Sequence, residues 1–421
     1  MSPAALNAHW SDLPAAQWQF LAETYSTPFF LYDADLVNRR IEAVRSALKG
    51  RVQIYYAVKA NPNLGLLRAV RGVADGLDIS SIGELTQARL AGFEPNCMSF
   101  AGPAKTTAEL EAAIAAALGC ISVESLREID ACARIAEELD TRVSLLLRVN
   151  PSVVHRSYGL KMGGRAVQFG IDEEALPEAA ARIRAHSSRV DFRGLHCYVG
   201  SQCFEATAVA ESAATALRIA RDLEAGCGLH CGKINLGGGF GVSHGEDRRE
   251  LDLDSLAREL MPVLADHDAT TATVCELIFE LGRYLTAPAG IYVTRVVGRK
   301  TSRGKTFVTC DGGLHHHLAA AGTFGAALRG NFAMRNMTRA GGPTVVCNIA
   351  GPSCNPTDLL GVDARVADLH EGDLLGILMS GSYGLTASPL LFLGRPTAVE
   401  LVCVGEQVSV GRRSFNVTEF N

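Results

Sequence analysis

Eight short apolar runs, each followed by a loop and a helix-like stretch, limit this chain to very few folds. The runs are 54–58 "IYYAV", 77–80 "LDIS", 98–101 "MSFA", 120–123 "CISV", 143–149 "VSLLLRV", 192–198 "FRGLHCY", 233–237 "KINLG" and 276–280 "ELIFE". Between them lie 3.6-residue patterns such as "TTAELEAAIAAALG" and "SLREIDACARIAEELD". In the second of these, Ser125 and Glu128 have the spacing of a capping box. Strands alternating with helices pair in parallel through helical crossovers. Eight such units close a (β/α)8 barrel, so the class is α/β with the barrel over 34–287. A doubly wound open sheet is the weaker alternative, because no dinucleotide fingerprint follows the first strand.

Past residue 288 the helical pattern fades. "IYVTRVVGR", "KTFVTCDGG", "TVVCNIAGP", "DLLGILMSGSYG" and "AVELVCVG" are strand-like and joined by glycine-rich turns. They predict a separate β domain over 288–421, joined by residues 1–33, since "PFFLYDAD" at 28–35 is also strand-like. A length of 421 residues suits two such domains.

The net charge of −5 supplies no basic field for phosphate backbones, which argues against a nucleic-acid partner. No apolar run is long enough to span a bilayer, and the first twenty residues lack a secretory pattern. A cytoplasmic protein is therefore expected. Many of the twelve cysteines sit in or beside apolar runs, where a thiol behaves as a small hydrophobe. "CGLHC" (Cys227, His230, Cys231) lacks a second ligand pair at zinc spacing. In the run His315 to His317, neighbours on an extended chain face opposite ways, so at most two would share an ion. Pocket lining suits that run better, and no metal is expected.

Barrel enzymes carry their chemistry at the C-terminal ends of the strands. Read in order, those ends present Lys59, Asp78, His196 and Tyr198, then Gly237, Gly238 and Gly239, and finally Glu280 and Arg283. Each has a plain alternative: a solvated lysine, a flexible turn, a surface ion pair. Together the alternatives weaken. Glycines after the seventh strand leave backbone N–H groups able to converge on an anion, and Arg283 would add a guanidinium fork. A phosphate cradle, a strand-end lysine and a carboxylate together suit pyridoxal phosphate, which needs an amine, phosphate donors and a partner for its ring nitrogen.

These residues resemble the fold-type III pyridoxal phosphate enzymes, specifically the ornithine/diaminopimelate decarboxylase family, with its alanine racemase-like fold. The resemblance runs through "TPFFLYD", "YYAVKANPN", "GLDISSIGEL", "HCYVGSQ", "NLGGGFG", "ELGRYL", "DGG", "GPSCNPTD" and "GSYG". It implies Lys59 as the Schiff-base lysine and Glu280 as the ring-nitrogen partner. Asp78, His196 and Tyr198 are expected against the cofactor. Ser201, the three glycines, Arg283 and Tyr383 would hold its phosphate region. Cys354 resembles the cysteine that returns a proton to the substrate carbon. Asp311, Asn355 and Tyr383 would face the substrate. A homodimer with shared active sites is also implied, the cysteine segment coming from the partner.

Three departures from the family pattern stand out. Tyr198 replaces a histidine that stacks on the ring, while His196 lies two residues earlier on the same expected face. Leu281 replaces a proline. Asn355 replaces the acidic residue that reads a distal ammonium, so free ornithine, lysine or diaminopimelate should bind poorly. With "KMGGRAVQFG" and "DGGLHHHLA", these features resemble a biosynthetic subgroup acting on conjugates, such as a carrier-protein-bound glutamyl thioester or a siderophore-type citryl-amino acid. The expected activity is α-decarboxylation. A free diamino-acid decarboxylase is the first alternative and an amino-acid racemase a lesser one. A non-catalytic cofactor-carrying protein would resemble the barrel alone, and a scavenging binding protein would not need the covalent lysine.

Overall fold

A computed structural model describes residues 13–154, 157–271, 275–322, 330–339 and 341–420. Eight parallel strands form a closed barrel: Gln53–Ala57, Gly76–Ile79, Met98–Phe100, Cys120–Val123, Val143–Asn150, Val190–His196, Lys233–Gly238 and Glu276–Leu281. Each pairs with the next, and the eighth pairs with the first through Phe279 opposite Ile54. In the fifth strand, Leu145, Leu146 and Leu147 are all fully buried. Consecutive burial of this kind marks a strand covered on both faces, inward by the barrel core and outward by helices.

Two boundaries matter for the site. The first strand stops at Ala57, and Lys59 stands on the single 3-10 turn Val58–Ala60 rather than on the strand. The sixth strand ends at His196, so Tyr198 lies beyond it, not on a shared strand face.

Outer helices follow the sequence pattern. In Leu126–Glu138 the buried residues Ile129, Cys132, Ala133 and Ala136 recur at helical spacing, forming one apolar stripe. Only half of the expected capping box forms there. Ser125 Oγ accepts from Glu128 N, but the Glu128 carboxylate accepts from Glu124 N and pairs with buried Lys105 at 3.1 Å. A complete box forms instead at Thr106 and Glu109. After the eighth strand come the short helix Arg283–Thr286 and a 3-10 turn, Ala287–Ala289, rather than a full outer helix. Helix Ala34–Ala47 packs between Leu253–Thr270 and Leu64–Val70, filling the eighth outer position from the front of the barrel sequence.

The second domain is built on a nine-stranded sheet. Phe29–Asp33 pairs antiparallel with Gly290–Ser302 and parallel with Val399–Val404, so an N-terminal strand sits between two C-terminal ones. Phe29 and Leu31 pack with Trp18, Leu374 and Leu401 in a core of their own. Trp18 comes from the helix Ala15–Tyr25. After strand Leu374–Ile377 the chain turns back to the barrel, where Tyr383 N donates to Ala60 O at 2.8 Å. That contact brings Tyr383 to the turn carrying Lys59.

Candidate active site

One cleft at the C-terminal rim of the barrel is lined by Lys59, Tyr198, Ser201, Gly239, Glu280, Arg283 and Tyr383. Seven of the residues singled out in the sequence therefore meet in one place.

Lys59 Nζ donates to Asp78 Oδ2 at 2.7 Å. Asp78 has no exposed surface, while the lysine side chain is 39% exposed toward the cleft. Burial alone would lower the Lys59 pKa, but the charges of Asp78 and Glu280 overcome it and hold the ammonium above its ordinary value. Burial and the neighbouring Glu280 charge push the Asp78 carboxyl upward.

Glu280 is fixed from two sides. Asn235 Nδ2 donates to Oε2 at 3.0 Å, and His196 Nε2 stands 3.3 Å from Oε1, outside hydrogen-bond geometry. Burial pushes this carboxyl up, yet the His196 ring, Lys59 and Arg148 outweigh it and hold it below the usual range. Glu280 is thus an ionised group poised within the cleft. His196 is wholly buried, with Nδ1 3.0 Å from Ser122 Oγ, and braces the carboxylate from behind. Tyr198 lines the cleft, its phenol pushed up to about 12 by burial and by Tyr383.

The glycine turn has structural duties of its own. Gly237 and Gly239 have φ of 73° and 78°, in the left-handed region that side chains seldom adopt. A methyl on Gly238 would overlap Glu280 O, and one on Gly239 would overlap Gly200 O. Gly237 N donates to Asn235 Oδ1 at 2.8 Å, so that donor is already engaged. Gly239 is the member of the trio that lines the cleft. Arg283 lies 4.5 Å from the Tyr383 ring centroid, and its Nε and Nη1 are buried without a hydrogen-bond partner. Unpaired buried donors on a guanidinium are costly, and an anion would relieve them.

Other expected site residues lie elsewhere. Asp311 is engaged within the β domain, accepting from Thr27 Oγ1 at 2.5 Å, Thr294 Oγ1 at 2.6 Å and Arg295 N at 2.8 Å. Cys354 is the exposed member of the twelve free cysteines and does not line this cleft. Asn355 Oδ1 accepts from Thr357 N and Oγ1, closing a turn within its own loop. The loop is anchored by Asp358, which accepts from Leu314 N at 2.6 Å and Ser353 N at 3.0 Å. Two of the histidines take separate hydrogen-bond partners: His316 meets Tyr292 OH and Pro396 O, and His317 meets Ser380 Oγ, while the His315 ring lies 3.9 Å from that of His316 with neither of its nitrogens hydrogen-bonded. Among the described residues no His, Cys, Asp and Glu grouping could hold a metal ion. Among the described residues no helix is long and apolar enough to cross a membrane.

Sequence reasoning missed Asn235 and Ser122. Asn235 lies within "NLGGGFG", where the glycines drew attention, and nothing in the chain signals that its carboxamide reaches across to the neighbouring strand.

Pyridoxal phosphate fits these groups: an amine at Lys59, an ionised carboxylate at Glu280 and unpaired buried donors at Arg283 match its aldehyde, ring nitrogen and phosphate. Comparison with known proteins agrees. Residues 34–287 match the family described as "Pyridoxal-dependent decarboxylase, pyridoxal binding domain". The chain is 37% identical to L-glutamyl-[BtrI acyl-carrier protein] decarboxylase of Niallia circulans, over 93% of this chain and 92% of that one. It is 30% identical to diaminopimelate decarboxylase of Helicobacter pylori strain J99, over 94% and 95%. The crystal structure of Helicobacter pylori diaminopimelate decarboxylase complexed with L-lysine superposes with a TM-score of 0.85 at 28% identity, covering 94% and 96%. The chain belongs to the family of pyridoxal-dependent decarboxylases, as an enzyme with pyridoxal phosphate for its cofactor.

Proposed function

We propose that this decarboxylase acts on an amino acid held in a conjugate, with a glutamyl thioester on an acyl carrier protein as the first candidate. A citryl-amino acid of the siderophore type is the second. The observation that carries this reading is Asn355. The residue after Cys354 bears no charge, and its carboxamide oxygen is taken up by Thr357. A distal ammonium would forgo a charge-assisted contact worth about 1.5–3 kcal/mol. The relationship to the glutamyl-carrier decarboxylase supports the same choice.

Bound in the cleft, pyridoxal phosphate supplies an electron sink for the pair left on the substrate Cα when carbon dioxide departs. The chain's own groups prepare that event. Lys59 would hold the cofactor covalently, and its ammonium must first shed a proton. Asp78 Oδ2, at 2.7 Å and with a raised carboxyl pKa, is the acceptor at hand. Glu280, ionised, would keep the ring nitrogen protonated. Arg283 with Ser201 and Gly239 would take the phosphate. Tyr198 would cover one face of the ring and exclude water from it. Cys354 would return the proton to Cα. It lies outside this chain's cleft, so a second copy would bring it, completing a homodimer with shared sites.

The test is carbon dioxide release from free ornithine, lysine, diaminopimelate and glutamate, beside glutamyl-carrier and citryl conjugates. Turnover limited to the conjugates is expected. Turnover limited to ornithine, lysine or diaminopimelate would refute the reading.

A further inference from the structure

The histidine run meets the segment that carries Tyr383. His317 is fully buried, its ring enclosed by Phe30, Tyr292 and Phe332 at centroid distances of 5.5, 5.6 and 5.3 Å. Ala320 N lies 3.4 Å from its Nδ1 and donates there, so the hydrogen belongs on Nε2. Nε2 points at Ser380 Oγ, 2.8 Å away, and that hydroxyl donates onward to Ile377 O at 2.8 Å. Burial pushes the ring pKa down to about 3, so the ring stays neutral through the physiological range.

Ser380 opens the turn that ends at Tyr383. Its N donates to Gly290 O, Gly381 N donates to Ala287 O, and Asn61 Nδ2 donates to Gly381 O. Tyr383 itself has φ of 51°, a conformation that a non-glycine residue keeps only where its surroundings over-determine it. From there its N reaches Ala60 O and its ring covers Arg283.

We propose that His317 is a positioning residue for the cofactor site, acting through Ser380 to hold the 380–383 turn and with it Tyr383. The inference rests on the cofactor placement proposed above. It assigns the histidine run a role that requires no metal: an enclosed imidazole fixes the orientation of one hydroxyl, and that hydroxyl fixes the turn beside Lys59.

The experiment titrates apo-protein with pyridoxal phosphate for His317→Phe, His317→Gln, Ser380→Ala and the His317→Phe/Ser380→Ala double variant. Readouts are the dissociation constant and the circular dichroism of the cofactor band, which reports how the ring is held. His317→Phe and Ser380→Ala should each weaken binding by about five- to tenfold and alter the band, and the double variant should be no weaker than either. His317→Gln, which restores a donor toward Ser380, should return to within about threefold of the native protein. Additive losses, or native affinity and band in Ser380→Ala, would overturn the inference. If His317→Phe does not fold, Ser380→Ala and His317→Gln decide by the same criteria. Lys59→Ala separates the two levels: a cofactor band that survives it defeats the site itself, whereas a Lys59-dependent band unmoved by Ser380→Ala defeats only the role of His317.

Discussion

Lys59 Nζ and Asp78 Oδ2 stand 2.7 Å apart, one at the cleft and the other wholly buried beneath it. The pair holds the amine charged while supplying the group that can discharge it. Burial favours the neutral lysine; the carboxylate charge is stronger and sets the direction. Because the folded value lies above the ordinary 10.5, the pair's contribution to stability is complete below that pH and fades as pH rises through the folded value.

Asp78→Asn removes the charge and the acceptor together. The pH at which the apo-protein begins to capture pyridoxal phosphate should move downward, because without the carboxylate charge the neutral amine forms at lower pH. Stopped-flow absorbance across pH 6–10 checks this. An unchanged profile would remove Asp78 from the mechanism.

Asn235→Asp keeps an acceptor for Gly237 N but sets a second carboxylate against Glu280. Like charges favour protonation, so the Glu280 pKa should rise by about one unit or more. The sign is fixed by its depressed folded value. What ionised Glu280 contributes is complete above its ordinary 4.5 and is lost as pH falls through the lower folded value. In Asn235→Asp that loss should begin at higher pH, seen as an acid limb of kcat displaced upward.

Gly239→Ala should fold poorly. The left-handed backbone costs a side chain about 1–3 kcal/mol, and its methyl must also displace the carbonyl of Gly200. Urea unfolding should show a loss of at least that size, whether or not cofactor is present. A native midpoint would mean that the turn can relax.

Lys59→Ala and Cys354→Ala proteins should each be inactive or nearly so. Mixed under conditions that exchange subunits, they should recover up to about a quarter of native activity, since half the dimers are mixed and each carries one complete site. No recovery despite exchange, shown by native mass spectrometry of differently tagged copies, would place both groups in one chain's site.

Asn355→Asp restores a charge where a distal ammonium would lie. KM for free lysine or ornithine should fall by about tenfold. The Thr357 contacts are preserved, because a carboxylate oxygen accepts as the carboxamide oxygen does. An unchanged KM would mean that this position does not face the substrate.

The sequence by itself determined the barrel, because parallel strands covered on both faces leave a repeating signature of apolar runs and amphipathic stripes. It also placed Lys59, Glu280 and Arg283 at one rim, since a strand end is a local property and the barrel gathers strand ends. Contacts between neighbouring strands and between domains were decided only by the tertiary structure. Asn235 reaches Glu280, His196 reinforces that carboxylate instead of facing the cleft, and His317 reaches Ser380 from a distant segment. Asp311 illustrates the reverse case, because its motif suggests a substrate contact while in this chain its carboxylate accepts from three donors of the β domain. Periodicity records which side of an element is buried. It does not record which polar atom, across a register shift or a domain boundary, completes a hydrogen bond.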